Sequence, residues 1–177
     1  MSAEHKVQLG PPEPAVLAAL DEGWNTDETC NRMQGYGKGA SGQWGATHNL
    51  GECLGSDDPN LKMVGIYRDD KPVGLFWVIY EGDKKRTVQL HINISPKARG
   101  QWIFEHAGRE LMAKLFDNGV YRVEVEPLRI NKRMVKLLRH YGFKQEGIKR
   151  SAFWMDNNDY DTVLLRMLRR EWKRKEN

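Results

Sequence analysis

The hydrophobic period of this chain changes once, sharply, at Pro96. From Thr87 to Ile94 apolar and polar residues alternate, with Val88, Leu90, Ile92 and Ile94 on one face and Gln89, His91 and Asn93 on the other. A period of two is that of a strand with one covered face. Beyond Pro96 the spacing becomes helical, through Phe104, Ala107, Leu111 and Leu115, with Gly108 and Met112 beside them. Asp117-Asn118-Gly119 predicts the end of that helix, since glycine adopts positive φ freely. A strand that feeds a long helix calls for a sheet with helices packed on it.

The flanking segments extend this pattern. Residues 63–67 and 73–81 read as strands joined by Asp69-Asp70-Lys71-Pro72, and Gly82-Asp83-Lys84-Lys85 turns the second into the strand at 87–94. Residues 120–125 form a further strand. Asn131 is placed to cap a helix through Tyr141, with Met134, Leu137, Leu138 and Tyr141 as its stripe and Gly142 as its stop. Strands follow at 143–149 and 160–167, turned by Asp156-Asn157-Asn158-Asp159. The order β-β-β-α-β-α-β-β predicts an α+β fold, a single domain with a mixed, mostly antiparallel sheet flanked by helices. Upstream, a proline-rich lead precedes a short helix at 15–22 that stops at Gly23. Residues 24–60 have little period and carry seven glycines between Gly35 and Gly55. They form either a weak helix near 27–33 or a loop over a site. Residues 35–42 do not have the spacing of a phosphate loop.

Charge and cysteine content narrow the classes. The formal net charge is +4, and residues 166–177, with six basic and two acidic groups, account for all of it. The remaining 22 basic and 22 acidic residues balance, so nucleic acid is not expected as a partner. Cys30 and Cys53 lack the partners of a zinc site or a disulfide framework, so no metal is expected. Mean hydropathy is −0.70. No long apolar run or apolar leader occurs, which predicts a cytoplasmic protein that does not span a membrane.

The chemistry is expected at Ile94-Ser95-Pro96-Lys97-Ala98-Arg99-Gly100. A helix that opens after a strand presents unpaired N–H groups and partial positive charge, which suits a diphosphate. Arg99 adds a full charge. With the three-strand meander, Asn131, Leu137-Leu138 and Tyr141-Gly142-Phe143, this junction resembles the GNAT superfamily of N-acetyltransferases. The run Gly142-Phe143-Lys144-Gln145-Glu146-Gly147-Ile148-Lys149-Arg150 is similar to the branch that acetylates protein N-termini and ribosomal proteins. The resemblance covers about 105 of the 177 residues.

That resemblance implies acetyl-CoA as donor and a primary amine as acceptor, with the donor lying where the sheet opens between the strands ending at Ile94 and at 120–125. It implies contacts to the donor from Ile94, Ser95, Arg99, Gly100, Gln101, Trp102, Ile103, Phe104 and Asn131. Trp102 and Phe104 stand where the family has small residues, and Leu138 where many members have a proton-donating tyrosine, with Tyr141 one turn further on as its substitute. For the base that frees the amine, His91 leads, with Glu124 and Glu126 as alternates. The backbone near Ile94 is expected to hold the thioester oxygen.

The implied layout is an N-terminal region at 1–60 on the acceptor side, a core at 61–170 and a basic tail at 171–177. The implied activity is acyl transfer from acyl-CoA to an amine of a protein or small molecule. The alternative is a non-catalytic assembly or interaction protein on the same fold, binding a protein partner, as in virion head-assembly factors. Trp77, Phe76, Ile79 and Tyr80 read as strand core, Trp154 as packing and Trp172 as an anchor for the tail.

Overall fold

The structure is a computed structural model describing residues 6–16, 57–82, 84–99, 103–155 and 157–172. Most of the sequence read as the glycine-rich region lies outside these residues. With it lie the Gly23 stop, the 27–33 helix and both cysteines. Of the helix expected at 15–22, only its first residues are described, in a helical turn at 14–16.

One sheet organises the described chain. Its strands are β1 (Val7–Gly10), β2 (Leu61–Arg68), β3 (Lys71–Glu81), β4 (Thr87–Ile94), β5 (Arg122–Val125), β6 (Lys144–Met155) and β7 (Asn158–Leu168). They lie in the order β1-β2-β3-β4-β5-β7-β6. All neighbours are antiparallel except β4 and β5. The mixed, mostly antiparallel α+β sheet expected from the sequence is therefore present. A strand is added at its edge: Val7–Gly10, read as a proline-rich lead, pairs with β2 from Val7↔Arg68 to Gly10↔Gly65.

Local chemistry explains the turns. Asp69 and Asp70 both have positive φ (51° and 61°), so the β2–β3 hairpin closes through two residues whose short polar side chains tolerate that conformation. The parallel step from β4 to β5 needs a crossover. It is made by a π-helical turn, Phe104–Gly108, running into α1, Arg109–Asp117. Gly119 (φ 90°) follows the helix end as expected. A second helix, α2 (Lys132–His140), crosses from β5 towards β6, and Gly142 (φ 93°) ends it. Among the described residues no helix is long and apolar enough to cross a membrane.

One face of the sheet forms the core. Phe76, Val78, Val88, Leu90, Val123 and Val163 pack with Ala107, Leu111 and Leu115 of the crossover and Leu138 of α2. Trp172 lies against α1, with its ring 6.0 Å from that of Phe116 and Arg109 over it; the tail at 173–177 lies outside the described residues. Trp154, expected to pack, is instead 65% exposed. It sits near the tip of the β6–β7 hairpin, beyond a register shift between Lys149 and Phe153.

Ion pairs cross the strands β5, β7 and β6. Arg122 pairs with Glu124 and Glu146, Arg166 with Glu146 and Glu171, and Lys144 with Glu171. Hydrogen bonds from Arg122 and Arg166 hold Glu146 down to about 2. Lys144, the Leu168 N–H and Arg166 do the same for Glu171. A folded-state pKa below the unfolded value of about 4.3 stabilises the fold above that value, and the contribution is lost as pH falls towards the folded pKa. Melting temperature is therefore expected to fall between about pH 4.5 and pH 2. The double variant E146Q/E171Q should show a shallower fall, measured by circular dichroism across that range.

Candidate functional site

The sheet opens between β4 and β5. Their parallel register runs only through Thr87↔Arg122, Val88↔Val123 and Gln89↔Glu124. β4 continues to Ile94 against β3 alone. Its outer residues also lose cover: Val88 and Leu90 are buried, whereas Ile92 and Ile94 are half-buried.

The end of β4 shows which backbone groups face this opening. Ser95 donates its N–H to the Val73 carbonyl oxygen at 2.8 Å, on the β3 side. Successive residues of an antiparallel strand direct their N–H groups to opposite edges. The Ile94 N–H therefore points to the edge that β5 has left. The Ile94 carbonyl lies on the same edge and accepts from Arg99 Nε at 3.1 Å. Arg99 thus folds back over the strand end and fixes a cation at the mouth of the opening. Gly100, Gln101 and Trp102 lie outside the described residues.

The remaining residues expected to contact the donor occupy varied settings. Ser95 is buried, and its carbonyl accepts from the Ala98 N–H at 2.9 Å. Ile103 is 2% exposed, so its side chain belongs to the core. Phe104 packs between the helices, with its ring 5.0 Å from that of Tyr141. Asn131 accepts from the Met134 N–H at 3.1 Å, the expected cap of α2, which commits its side-chain oxygen to the helix.

Tyr141 ends α2 against the crossover helix, with Arg109 over its ring at 5.3 Å. Burial, followed by the charge of Glu105, pushes its phenol up to about 12, against a lowering by Arg109. It keeps its proton at neutral pH and is a weak acid. The face expected for Tyr141 is the one that meets Phe104, but the sequence did not reveal its neighbour Glu105.

The polar groups gather on the other face of the sheet. Register pairs Trp77 with His91, Leu75 with Asn93 and Gln89 with Glu124. Alternation puts all six side chains opposite the helix-packed core. The Trp77 and His91 ring centroids are 6.0 Å apart. Burial lowers the His91 pKa from its ordinary value and so keeps the imidazole neutral at pH 7, against an opposing pull from Glu126. Glu126 itself is ion-paired with Lys149 on β6. Lys149 pairs in register with Thr162, which is 6% exposed and whose hydroxyl has no hydrogen-bond partner among the described residues. The buried indole N–H of Trp77 likewise has none. Trp77, Lys149 and Thr162 were not singled out from the sequence as site residues. Only the strand register brings Trp77 beside His91 and Thr162 beside Lys149, the partner of Glu126.

No family model matches the chain. Solved structures do. A probable acetyltransferase of the GNAT family from Chromobacterium violaceum is 22% identical, covers 94% of this chain and 84% of its own, and superposes with a TM-score of 0.80. The chain has the GNAT fold. The spermidine N-acetyltransferase of Vibrio cholerae, in complex with CoA and spermine, is 16% identical over 93% of this chain and 96% of its own, with a TM-score of 0.78. A ribosomal-protein alpha-N-acetyltransferase in complex with coenzyme A is 16% identical over 92% of this chain and 93% of its own, with a TM-score of 0.74. In this chain the sheet of that fold opens between β4 and β5.

Proposed function

We propose that this chain is an N-acyltransferase that moves an acetyl group from acetyl-CoA to a primary amine. The observation that carries this reading is the Ile94 N–H, directed to the edge of β4 that β5 leaves open. It is a preset donor for an oxygen that gains charge as a thioester is attacked. The likeness to CoA-bound structures of the same fold supports the reading. Arg99 supplies the cation for the diphosphate, next to the turn Ser95-Pro96-Lys97-Ala98.

The acceptor side is the polar face. Its carboxylates, Glu124 and Glu126, are held by Arg122 and Lys149, so a cationic amine would compete with those cations for them, and neutral His91 can take a proton directly or through one water. In the reaction His91 takes a proton from the ammonium and so frees its lone pair, the amine nitrogen bonds to the acyl carbon, and the carbon–sulfur bond breaks. The second proton lost by the nitrogen passes to the departing thiolate, directly or through water, and His91 returns its own proton to solvent. With its phenol pushed up to about 12, Tyr141 can steady that thiolate by a hydrogen bond more readily than it can surrender a proton.

Binding of acetyl-CoA at 100 times its dissociation constant should add about 2.7 kcal/mol to stability. For a chain of this size that is a rise of roughly 5–11 °C in melting temperature. Thiol release should follow when an amine or N-terminal peptide is added. An unchanged melting temperature at millimolar acetyl-CoA would remove the donor from the reading. A shift without thiol release across amines and peptides would favour a non-catalytic protein on the GNAT fold.

A further inference from the structure

A second concave surface lies between α2 and the β6–β7 hairpin, on the sheet face that carries the helices. It is a groove of about 350 Å³. Val135, Ile148 and Val163 give it aliphatic lining, and Arg129, Lys132, Lys136 and Arg139 add cations. The whole-chain charge balance hides this surface. Residues 127–142 hold five Lys and Arg and no Asp or Glu.

These cations are unevenly matched. Arg129 is paired with Asp161 at 2.9 Å. Arg139 is hydrogen-bonded only to the neutral side chain of Gln145, and Lys132 and Lys136 have no ion pair among the described residues. Elsewhere on the same hairpin Lys149 is bound to Glu126 and Lys144 to Glu171. Ile148, inside the groove, is 42% exposed. Apolar lining beside unmatched positive charge is a combination that a folded surface retains for a partner more readily than for its own stability.

We propose that this groove binds an acidic peptide segment of a protein partner, in extended form, with carboxylates against α2 and aliphatic side chains on the lining. The spacing fits. Lys132, Lys136 and Arg139 stand at i, i+4 and i+7, on one helix face at rises of about 6 Å and 10.5 Å. Carboxylates two residues apart on an extended peptide share one face and are separated by about 6.6 Å, which matches the Lys132–Lys136 rise. The groove has no aromatic lining, so it offers none of the stacking platforms on which single-stranded nucleic acid is bound.

The test uses the full chain and a fluorescent 12-residue peptide of alternating glutamate and leucine, acetylated at its N-terminus so that it cannot act as an amine acceptor. Anisotropy should show saturable binding that weakens with salt. K132E/K136E should weaken it at least tenfold. Position 132 is in the first turn of α2, where the helix dipole favours a carboxylate, and position 136 is exposed, so neither change touches the core; melting temperature checks that the fold is retained. Replacing leucine by serine in the peptide should weaken binding at least fivefold. Affinity unchanged in K132E/K136E overturns the proposal. So does equal affinity for the serine peptide, which would make the surface a simple charge sink. Tighter binding of a single-stranded oligonucleotide of equal charge overturns it in favour of nucleic acid.

Discussion

His91→Gln is expected to lower kcat for amine acetylation by about 10²–10⁴-fold, with the acetyl-CoA-induced rise in melting temperature unchanged. The substitution keeps a polar side chain of similar reach and removes the proton acceptor. Burial holds the His91 imidazole below its ordinary value of 6.5, and Glu126 opposes that shift without cancelling it. A base must be unprotonated to act, so the acid limb of the wild-type pH–rate profile should lie below pH 6.5. Glu126→Gln removes the charge that raises the imidazole pKa, and should move the limb to still lower pH. His91→Gln should abolish it. Activity within threefold of wild type in His91→Gln would shift the role of base to Glu124 or Glu126. Single-turnover measurements at saturating amine separate this loss from weaker acceptor binding.

The fold was readable because its signals are local. Thr87–Ile94 has the predicted bounds, since alternation records a strand with one covered face. Asn131 and Gly142 mark α2 by chemistry contained within a few residues. Val7–Gly10 carries no comparable signal. It is four half-buried residues, a strand because β2 offers an edge. The site was readable only in part, for the same reason. The candidates His91 and Glu126 could be named from β4 and from the residue that follows β5. The Trp77–His91 contact depends on register between two strands, and the Glu126–Lys149 pair spans 23 residues. Charge showed the opposite failure: a balanced total outside the tail concealed five cations concentrated around one helix.

Phe76 and Trp77 are adjacent on β3 and face opposite ways, so they offer the sharpest test of a sheet with one structural and one functional face. Phe76 is fully buried, opposite Ile92 on one side and Val64 on the other. Phe76→Ala should cost about 3–5 kcal/mol through lost burial and the cavity left behind. That is a large share of a typical stability of about 5–15 kcal/mol, and corresponds to a drop of roughly 6–20 °C in melting temperature. Trp77→Phe should behave differently. The indole N–H is buried with no partner among the described residues, a burden of about 1–3 kcal/mol that phenylalanine does not carry. Its removal offsets the smaller ring, so melting temperature should stay within a few degrees of wild type. The loss should appear in KM for the amine, because Trp77 stands beside His91 on the face proposed for the acceptor. A melting-temperature loss in Trp77→Phe as large as that in Phe76→Ala would mean that this face is built for packing, and the acceptor site would have to lie elsewhere.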